Sequence, residues 1–170
     1  LYWKETGDVN VWKGIAQDAL VMNLDDMACC GLTDQFIISN TILRNKRCIP
    51  TIVLEAIIQG TIDFIENMKT FGISILHAGG ETADVGDVVR TADIGYTAYT
   101  EGYKNQIFEN RIQPGDLILG LGSYGQTSYE TNYNSGISCN GLTSARHDVL
   151  SNYYTSLYPE TYDPSIDSSL

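Results

Sequence analysis

The chain has 170 residues, of which 43% are hydrophobic, and a formal net charge of −11 at pH 7. This composition is typical of a globular protein with a buried core and excludes a disordered chain. The net charge argues against nucleic acid as a partner, because a protein that binds it needs a basic surface to neutralise phosphates. A site for a single nucleotide stays open, since Mg²⁺ and a few local cations can neutralise one ligand.

The cysteines and the hydropathy argue against two further classes of protein. Cys29, Cys30, Cys48 and Cys139 show no Cys-x-x-Cys spacing, and the chain has only two histidines, so we expect no zinc site. No apolar run approaches the roughly 20 residues of a membrane span, so we expect no membrane partner and a cytoplasmic protein with reduced thiols. The first residue, Leu1, follows no signal-peptide pattern, and we expect the chain to be part of a longer protein.

A long helix is the first predicted element. Asn10 is expected to cap a helix over residues 11–29, and Gly31 is a natural stop. Residues 15, 19 and 22, which are Ile, Ala and Met, form an apolar stripe on this helix that ends in the carboxylate of Asp26. A carboxylate at a helix carboxyl end opposes the helix dipole, so either a metal ion compensates it or it is simply exposed to solvent.

The middle of the chain predicts a strand, a helix and a second strand. Residues 35–43 are rich in β-branched and apolar side chains and favour a strand. Pro50 stands at the start of a strongly amphipathic helix that ends near Gly72. Residues 73–77 are a short apolar run and are expected to form the next strand.

Residues 88–103 favour a strand that is broken near Gly95. A turn is expected at residues 113–116, followed by a strand over 117–121, a long polar loop, and a last helix from Asn140 or Thr143 to about Tyr158. We place a domain boundary at this turn. Residues 1–113 would form most of one domain and residues 114–170 the beginning of a second.

The run from Gly79 to Asp87, Gly-Gly-Glu-Thr-Ala-Asp-Val-Gly-Asp, is the most informative stretch of the chain. Two adjacent glycines let the backbone approach a ligand closely. Three carboxylates within seven residues, on a loop at a strand end, suit a hard cation such as Mg²⁺. The alternative is a solvated acidic turn, because these are also ordinary loop residues.

Two further sequence patterns are candidates for ligand sites. Residues 138–146 form a polar turn that leads into a helix, which is typical of an anion site, and Arg146 could add its charge; an ordinary helix cap is the alternative. The Gly-x-Gly-x-x-Gly pattern at residues 120–125 follows a strand but opens no helix, so we do not expect a dinucleotide site. His77 and His147 are expected to be structural.

Taken together, these motifs resemble aminoimidazole ribonucleotide synthetase, also called phosphoribosylformylglycinamidine cyclo-ligase, and in particular its divergent form in Bacteroides-like bacteria. The motifs are Asp25-Asp26 before Gly31, Gly-Gly-Glu-Thr-Ala-Asp at residues 79–84, and Asn-Gly-Leu-x-Ser-x-Arg at residues 140–146. The resemblance implies a two-domain α/β (α+β) fold, with the second domain only partly present. It also implies a four-stranded sheet, flanked by helices, that pairs with a second copy in a homodimer.

The resemblance further implies site residues, with ATP and Mg²⁺ as cofactors. Asp26 and Glu81 would be catalytic and bind the metal. ATP would contact Asp26, Gly79, Gly80, Glu81, Thr82 and Asp84. The small-molecule substrate, formylglycinamidine ribonucleotide, would contact Ser123, Asn140, Gly141 and Arg146. Ser138 and Cys139 stand where the family usually has His-Ser, so this chain departs from the family pattern at that histidine.

The implied reaction belongs to purine biosynthesis and forms a C–N bond. ATP phosphorylates the formyl oxygen, and a nitrogen of the amidine attacks that carbon to close the imidazole ring, giving aminoimidazole ribonucleotide. We expect the 170 residues alone to be inactive. The alternatives are another ATP-using member of the same superfamily, such as a small-molecule kinase, and a non-catalytic remnant that only forms dimers.

Overall fold

The computed structural model describes residues 1–120, 122, 124–126, 128, 133 and 141–166. Five α-helices and three strands are assigned in this part of the chain. In chain order they are α1 (Tyr2–Thr6), α2 (Trp12–Cys29), β1 (Gln35–Arg44), α3 (Thr51–Lys69), β2 (Ser74–Asp84), β3 (Ala92–Tyr99), α4 (Leu142–Asp148) and α5 (Asn152–Leu157). Short 3₁₀ turns lie at Val9–Val11, Lys104–Gln106 and Pro159–Thr161.

The two long helices confirm the predictions from periodicity. α2 spans the predicted range to within one residue, and α3 begins directly after Pro50 and ends before Gly72, which has a φ of 81°. The predicted cap of α2 is wrong. Val11 precedes α2 and makes no side-chain cap, whereas Asp8 caps the preceding 3₁₀ turn, because its carboxylate accepts from the backbone N–H of Asn10 at 3.0 Å.

The sheet has the strand order β2-β1-β3 among the described residues. β1 and β2 are parallel and are connected by α3, whereas β3 is antiparallel to β1. Burial alternates strictly along β1 from Gln35 to Ile42, so α2 and α3 cover one face of the sheet. The opposite face is open: Ile37, Leu76 and Tyr99 are 43%, 60% and 54% exposed there. These features confirm the predicted α/β class.

The core lies between this sheet and the two long helices, in two neighbouring clusters. Leu20 and Leu24 of α2 belong to the first cluster with Phe36, at the amino end of β1. Ala16 of α2 belongs to the second cluster with Ile42, at the carboxyl end of β1. Helix α2 therefore runs antiparallel to β1, and its carboxyl end lies at the amino end of the parallel strands.

The second predicted strand is much longer than expected, and this corrects the interpretation of residues 79–84 as a loop. β2 continues through both glycines to Asp84, because its parallel partner β1 also continues, to Arg44. The predicted strand over residues 88–103 is restricted to Ala92–Tyr99 and is not broken at Gly95.

The part of the chain after β3 also differs from the prediction. The turn forms, with the N–H of Asp116 donating to the carbonyl of Gln113 at 3.1 Å, but residues 117–120 form no strand and the side chains of 117–119 are almost fully exposed. The last predicted helix is divided into α4 and α5. Ser151 separates them, because its hydroxyl accepts from the N–H of Tyr153 and caps α5. Across the described residues, no helix is both long and apolar enough to cross a membrane.

Candidate functional site at the carboxyl end of the parallel strands

A β-bulge stands at the two glycines of β2. Ile38 pairs with His77 and Asn40 pairs with Gly80, so that two residues of β2, Ala78 and Gly79, lie opposite the single residue Ser39. Gly79 has a φ of 105°, which side-chain-bearing residues rarely adopt. Bulges of this kind are frequent beside active sites, where they redirect the following side chains.

Gly80 is required for a different reason. A Cβ atom on Gly80 would overlap both the side-chain and the backbone oxygen of Asn40 on the neighbouring strand. Asn40 is buried, and its Oδ1 accepts from Nε2 of His77 at 3.1 Å. His77 therefore has a structural contact, as predicted, and holds the polar side chain that lies against Gly80.

The bulge determines which carboxylate faces the open side of the sheet. Glu81 pairs with Thr41, which lies between the buried residues Asn40 and Ile42, so Glu81 is on the open face and is exposed. On the other side of Thr41, β3 has Gly95, with no side chain to fill the space. Glu81 thus stands beside an uncrowded part of the open face, at the carboxyl half of the parallel pair.

Thr82 and Asp84 have different surroundings from Glu81. Both pair with residues of β1 on the helix-covered face, and both are exposed at the outer edge of β2. Oδ1 of Asp84 accepts from the backbone N–H of Lys46 at 3.0 Å and holds the turn after β1. Of the three predicted side chains, Glu81 alone faces the open side.

The structure does not bring Asp26 and Glu81 together within one chain. Asp26 lies near the carboxyl end of α2, beside the amino end of β1, whereas Glu81 lies opposite Thr41. The five residue-to-residue steps from Phe36 to Thr41 correspond to about 17 Å along the strand, and the two carboxylates also belong to opposite sides of the sheet. Within the described ranges, no group of three or more His, Cys, Asp or Glu side chains could hold a metal ion.

The predicted apolar stripe on α2 lines a cavity and does not pack in the main core. The core face of α2 is formed by Ala16, Leu20 and Leu24. The stripe of Ile15, Ala19 and Met22, and Asp18 on the same face, lines a cavity of about 440 Å³. The apolar wall is completed by Trp3, Trp12, Ile49 and Ile94.

The cavity opens at the carboxyl end of β1, beside residues 48–49 and 91–94. This is the edge at which α/β proteins commonly bind ligands. Asp18 was not among the predicted site residues, although its spacing of three residues from Ile15 and four from Met22 places it on the same helical face.

Arg146 of α4 lines the same cavity. It is half-buried, and it makes no ion pair with a described residue. Lys4 and Glu160, also at the cavity, bind each other at 2.7 Å, and this contact holds the pKa of Glu160 below its usual value. Gly141, with a φ of 95°, starts α4. Ser123 and Asn140 lie outside the described residues, as do Ser138 and Cys139.

His147 is structural, as predicted. Its side chain is buried, Nδ1 donates to the carbonyl of Thr143 at 2.7 Å, and Nε2 accepts from the N–H of Asp163 at 3.2 Å. Nδ1 thus bonds within α4, whereas Nε2 holds α4 against the segment after α5. Arg146, the preceding residue on α4, is held at the cavity by the same packing.

A parallel β-α-β unit with an antiparallel third strand, an open sheet face and a bulged Gly-Gly-Glu-Thr strand defines an α/β domain. Residues 4–100 match the family model described as AIR synthase related protein, N-terminal domain. The chain belongs to this family.

Curated relatives carry a common description, phosphoribosylformylglycinamidine cyclo-ligase. The protein from Pyrococcus furiosus is 32% identical over 145 residues, covering 82% of this chain and 36% of the relative. The protein from Thermococcus kodakarensis is 30% identical over 140 residues, with the same shares. The protein from Macrococcus caseolyticus is 29% identical over 141 residues, covering 81% and 36%. The chain thus spans about a third of the length of these relatives.

Proposed function

We propose that this chain is the part of an ATP-dependent cyclo-ligase that supplies its first domain, residues 1–113, and the beginning of its second, residues 114–170. The enzyme would convert formylglycinamidine ribonucleotide into aminoimidazole ribonucleotide. The observation that carries the proposal is the bulged strand at Gly79–Asp84, which presents Glu81 in a chain whose relatives are described as cyclo-ligases. No feature of the described residues favours the small-molecule kinase or the non-catalytic remnant.

The residues of β2 fit Mg²⁺ and a nucleotide. Mg²⁺ takes oxygen ligands and is commonly bound by one or two carboxylates together with substrate phosphates and water. Glu81 is an exposed carboxylate of this kind, and the open space beside Gly79, where a Cβ atom would meet nothing within 4 Å, would allow phosphates to approach the backbone. Thr82 and Asp84 would contact the nucleotide from the outer edge of β2.

Asp26 would have a separate binding role from Glu81. Because it is distant from Glu81 in the same chain, these two carboxylates cannot bind the same ion unless a second copy contributes one of them. We propose that Asp26 binds a metal or nucleotide group at the far end of the α2 face that lines the cavity.

Bound ATP would supply the phosphoryl group that converts the formyl oxygen into a leaving group. The chain's own residues would orient the reactants and neutralise their charge, since this chemistry needs positioning more than it needs a protein nucleophile. Glu81 would hold the metal, and Arg146, Gly141, Ser123 and Asn140 would hold the phosphorylated substrate. The apolar wall of the cavity would keep water from the activated formyl carbon.

The open sheet face supports a homodimer. Ile37, Leu76 and Tyr99 form an exposed apolar patch on one face of the sheet, and such a patch commonly marks a protein interface. We propose that two copies pair through this face, in a cytoplasmic enzyme, and that residues 1–170 alone do not turn over substrate.

Glu81→Gln in the full-length protein tests the proposal. The assay is ATP- and Mg²⁺-dependent formation of aminoimidazole ribonucleotide, with Glu66→Gln as a matched control, because Glu66 is an exposed glutamate at the far end of α3. We expect Glu81→Gln to lower activity at least ~100-fold, which is about 2.7 kcal/mol, and the control to match the wild type.

Two results would contradict the proposal. If Glu81→Gln retains wild-type activity, the acidic strand has no catalytic role. If the wild-type protein makes ADP only on a different acceptor, the enzyme is a kinase of the same superfamily.

A further inference from the structure

The residues after Gly141 form a small unit of their own, the α4–α5 segment (residues 142–163). His147 and Tyr162 are both buried in it, and their rings stand edge to face with centroids 5.3 Å apart. The structure describes every residue of this segment, and none of them belongs to either core cluster between the sheet and the two long helices. The main core therefore does not hold the segment in place.

Polar contacts with Lys4 of α1 connect the segment to the first domain. Nζ of Lys4 lies 2.7 Å from Oε1 of Glu160 and 5.8 Å from the centroid of the Tyr158 ring. The hydroxyl of Tyr158 also donates to the carbonyl of Lys4 at 3.4 Å. A second ion pair, between Arg90 and Asp163, is longer at 3.8 Å and more exposed. The pair of Lys4 and Glu160 is thus the closest ionic contact of the segment with residues 1–120.

The chain that leads to the segment does not fix its position. Residues 109–120 are exposed along their whole length. A unit that is attached by polar contacts and an exposed connection opens at a low cost in free energy, because opening uncovers little apolar surface. The ion pair at Lys4 therefore has a large share in keeping the segment closed.

The segment forms one wall of the cavity beside α2. It contributes Leu142, Arg146, Glu160 and Thr161 to the lining, and α1 contributes Trp3 and Lys4. The neighbour of Arg146 on α4, His147, accepts from the N–H of Asp163 and so ties α4 to the end of the segment. Arg146 consequently reaches the cavity when the whole segment lies against α1.

We propose that the ion pair of Lys4 and Glu160 is a latch that closes this wall of the cavity, and that both are positioning residues for Arg146. The role rests on the proposed function, in which Arg146 holds the phosphorylated substrate. Lys4 and Glu160 neutralise each other, so they act on the substrate through the guanidinium group and not by direct contact. When the pair breaks, the segment moves away from α1 and the guanidinium group leaves the cavity.

Alkylation of Cys48 measures the opening of the cavity without any ligand. Cys48 lines the cavity and is a half-buried free thiol, whereas Cys29 and Cys30 are exposed elsewhere and serve as references. Rates are measured by peptide mass spectrometry in the full-length protein. We expect Lys4→Glu to raise the rate at Cys48 about 5- to 10-fold, because an attractive pair becomes repulsive. Adding Glu160→Lys exchanges the two charges and should return the rate to within about 2-fold of the wild type.

Lys69→Glu is the matched control. Lys69 forms an exposed ion pair with Glu66 on α3, and neither residue lines the cavity. The substitution makes the same change in charge and also turns an ion pair into a repulsive one. The rate at Cys48 should equal that of the wild type.

Steady-state kinetics show whether the latch acts through Arg146. Lys4→Glu should raise the KM for formylglycinamidine ribonucleotide several-fold and leave kcat and the KM for ATP close to the wild type, because saturating substrate favours the closed state. The exchanged pair should restore the KM. In the Arg146→Ala background, Lys4→Glu should not lower kcat/KM further, because the group that the latch positions is already absent.

The outcomes separate the latch from the proposed function. An unchanged alkylation rate in Lys4→Glu overturns the latch, even if the enzyme forms aminoimidazole ribonucleotide. An equal fall in kcat/KM with and without Arg146 also overturns it, because the ion pair would then support only the fold. If the latch responds in the alkylation assay but the wild type forms no aminoimidazole ribonucleotide, the proposed function fails and the latch stands.

Discussion

Gly80→Ala is expected to destabilise the domain strongly, because the new methyl group would meet the backbone of the next strand. The added Cβ would overlap the backbone oxygen and the side-chain oxygen of Asn40. A side chain could rotate away, but the backbone of β1 is held by β2 on one side and β3 on the other. Overpacking of this kind costs about 1–3 kcal/mol.

The displacement of Asn40 would add a second cost. Its Oδ1 accepts the hydrogen bond from His77, and Asn40 is buried, so losing this contact costs about 1 kcal/mol more. A total of about 3 kcal/mol corresponds to a decrease in Tm of about 6–12 °C for a protein of this size. Gly95→Ala is the matched control. Gly95 lies on β3, the strand on the other side of β1, and its φ is not positive. A Cβ atom there would meet nothing within 4 Å.

Thermal denaturation followed by circular dichroism measures both variants against the wild type. We expect Gly95→Ala to melt at the wild-type temperature or slightly above it, because the chain loses freedom only in its unfolded state. If Gly80→Ala melts within 1–2 °C of Gly95→Ala, roughly the effect of less than 1 kcal/mol, the close approach of β2 to Asn40 is not a constraint and the argument from the bulge fails.

Three further predictions concern the core, the pH dependence and the open face. Thr61→Val should cost about 1–3 kcal/mol in urea denaturation, since the buried hydroxyl of Thr61 bonds the hydroxyl of Tyr96 at 2.6 Å; an unchanged midpoint would contradict this. The hydrogen bond from Lys13 lowers the pKa of Asp63 in the folded state. The ionised carboxylate therefore stabilises the fold above the unfolded pKa of about 3.9, and this stabilisation is lost as the pH falls below that value. Asp63→Asn should flatten the dependence of the unfolding free energy on pH in this acidic range. Leu76→Lys on the open face should shift the full-length protein from dimer to monomer in light scattering, and a persistent dimer would place the interface elsewhere.

The main helices and strands could be predicted from the amino-acid sequence alone. The periodicity of α3, the alternation in β1 and the length of α2 are local patterns, because side-chain spacing and turn residues determine them. The Gly-Gly-Glu-Thr run also identified the family, since the motif does not depend on where its residues lie in space.

Only the tertiary structure shows which face of each element packs in the core and which face lines the cavity or the candidate site. Helix α2 has apolar residues on two faces, and only its packing against the sheet shows that Leu20 and Leu24 are core while Ile15 and Met22 line the cavity with Asp18. Two glycines ordinarily indicate the end of a strand, but a parallel partner that continues can extend the strand through a bulge. The face on which Glu81 emerges depends on that register, and register is a property of the pair of strands, not of either one.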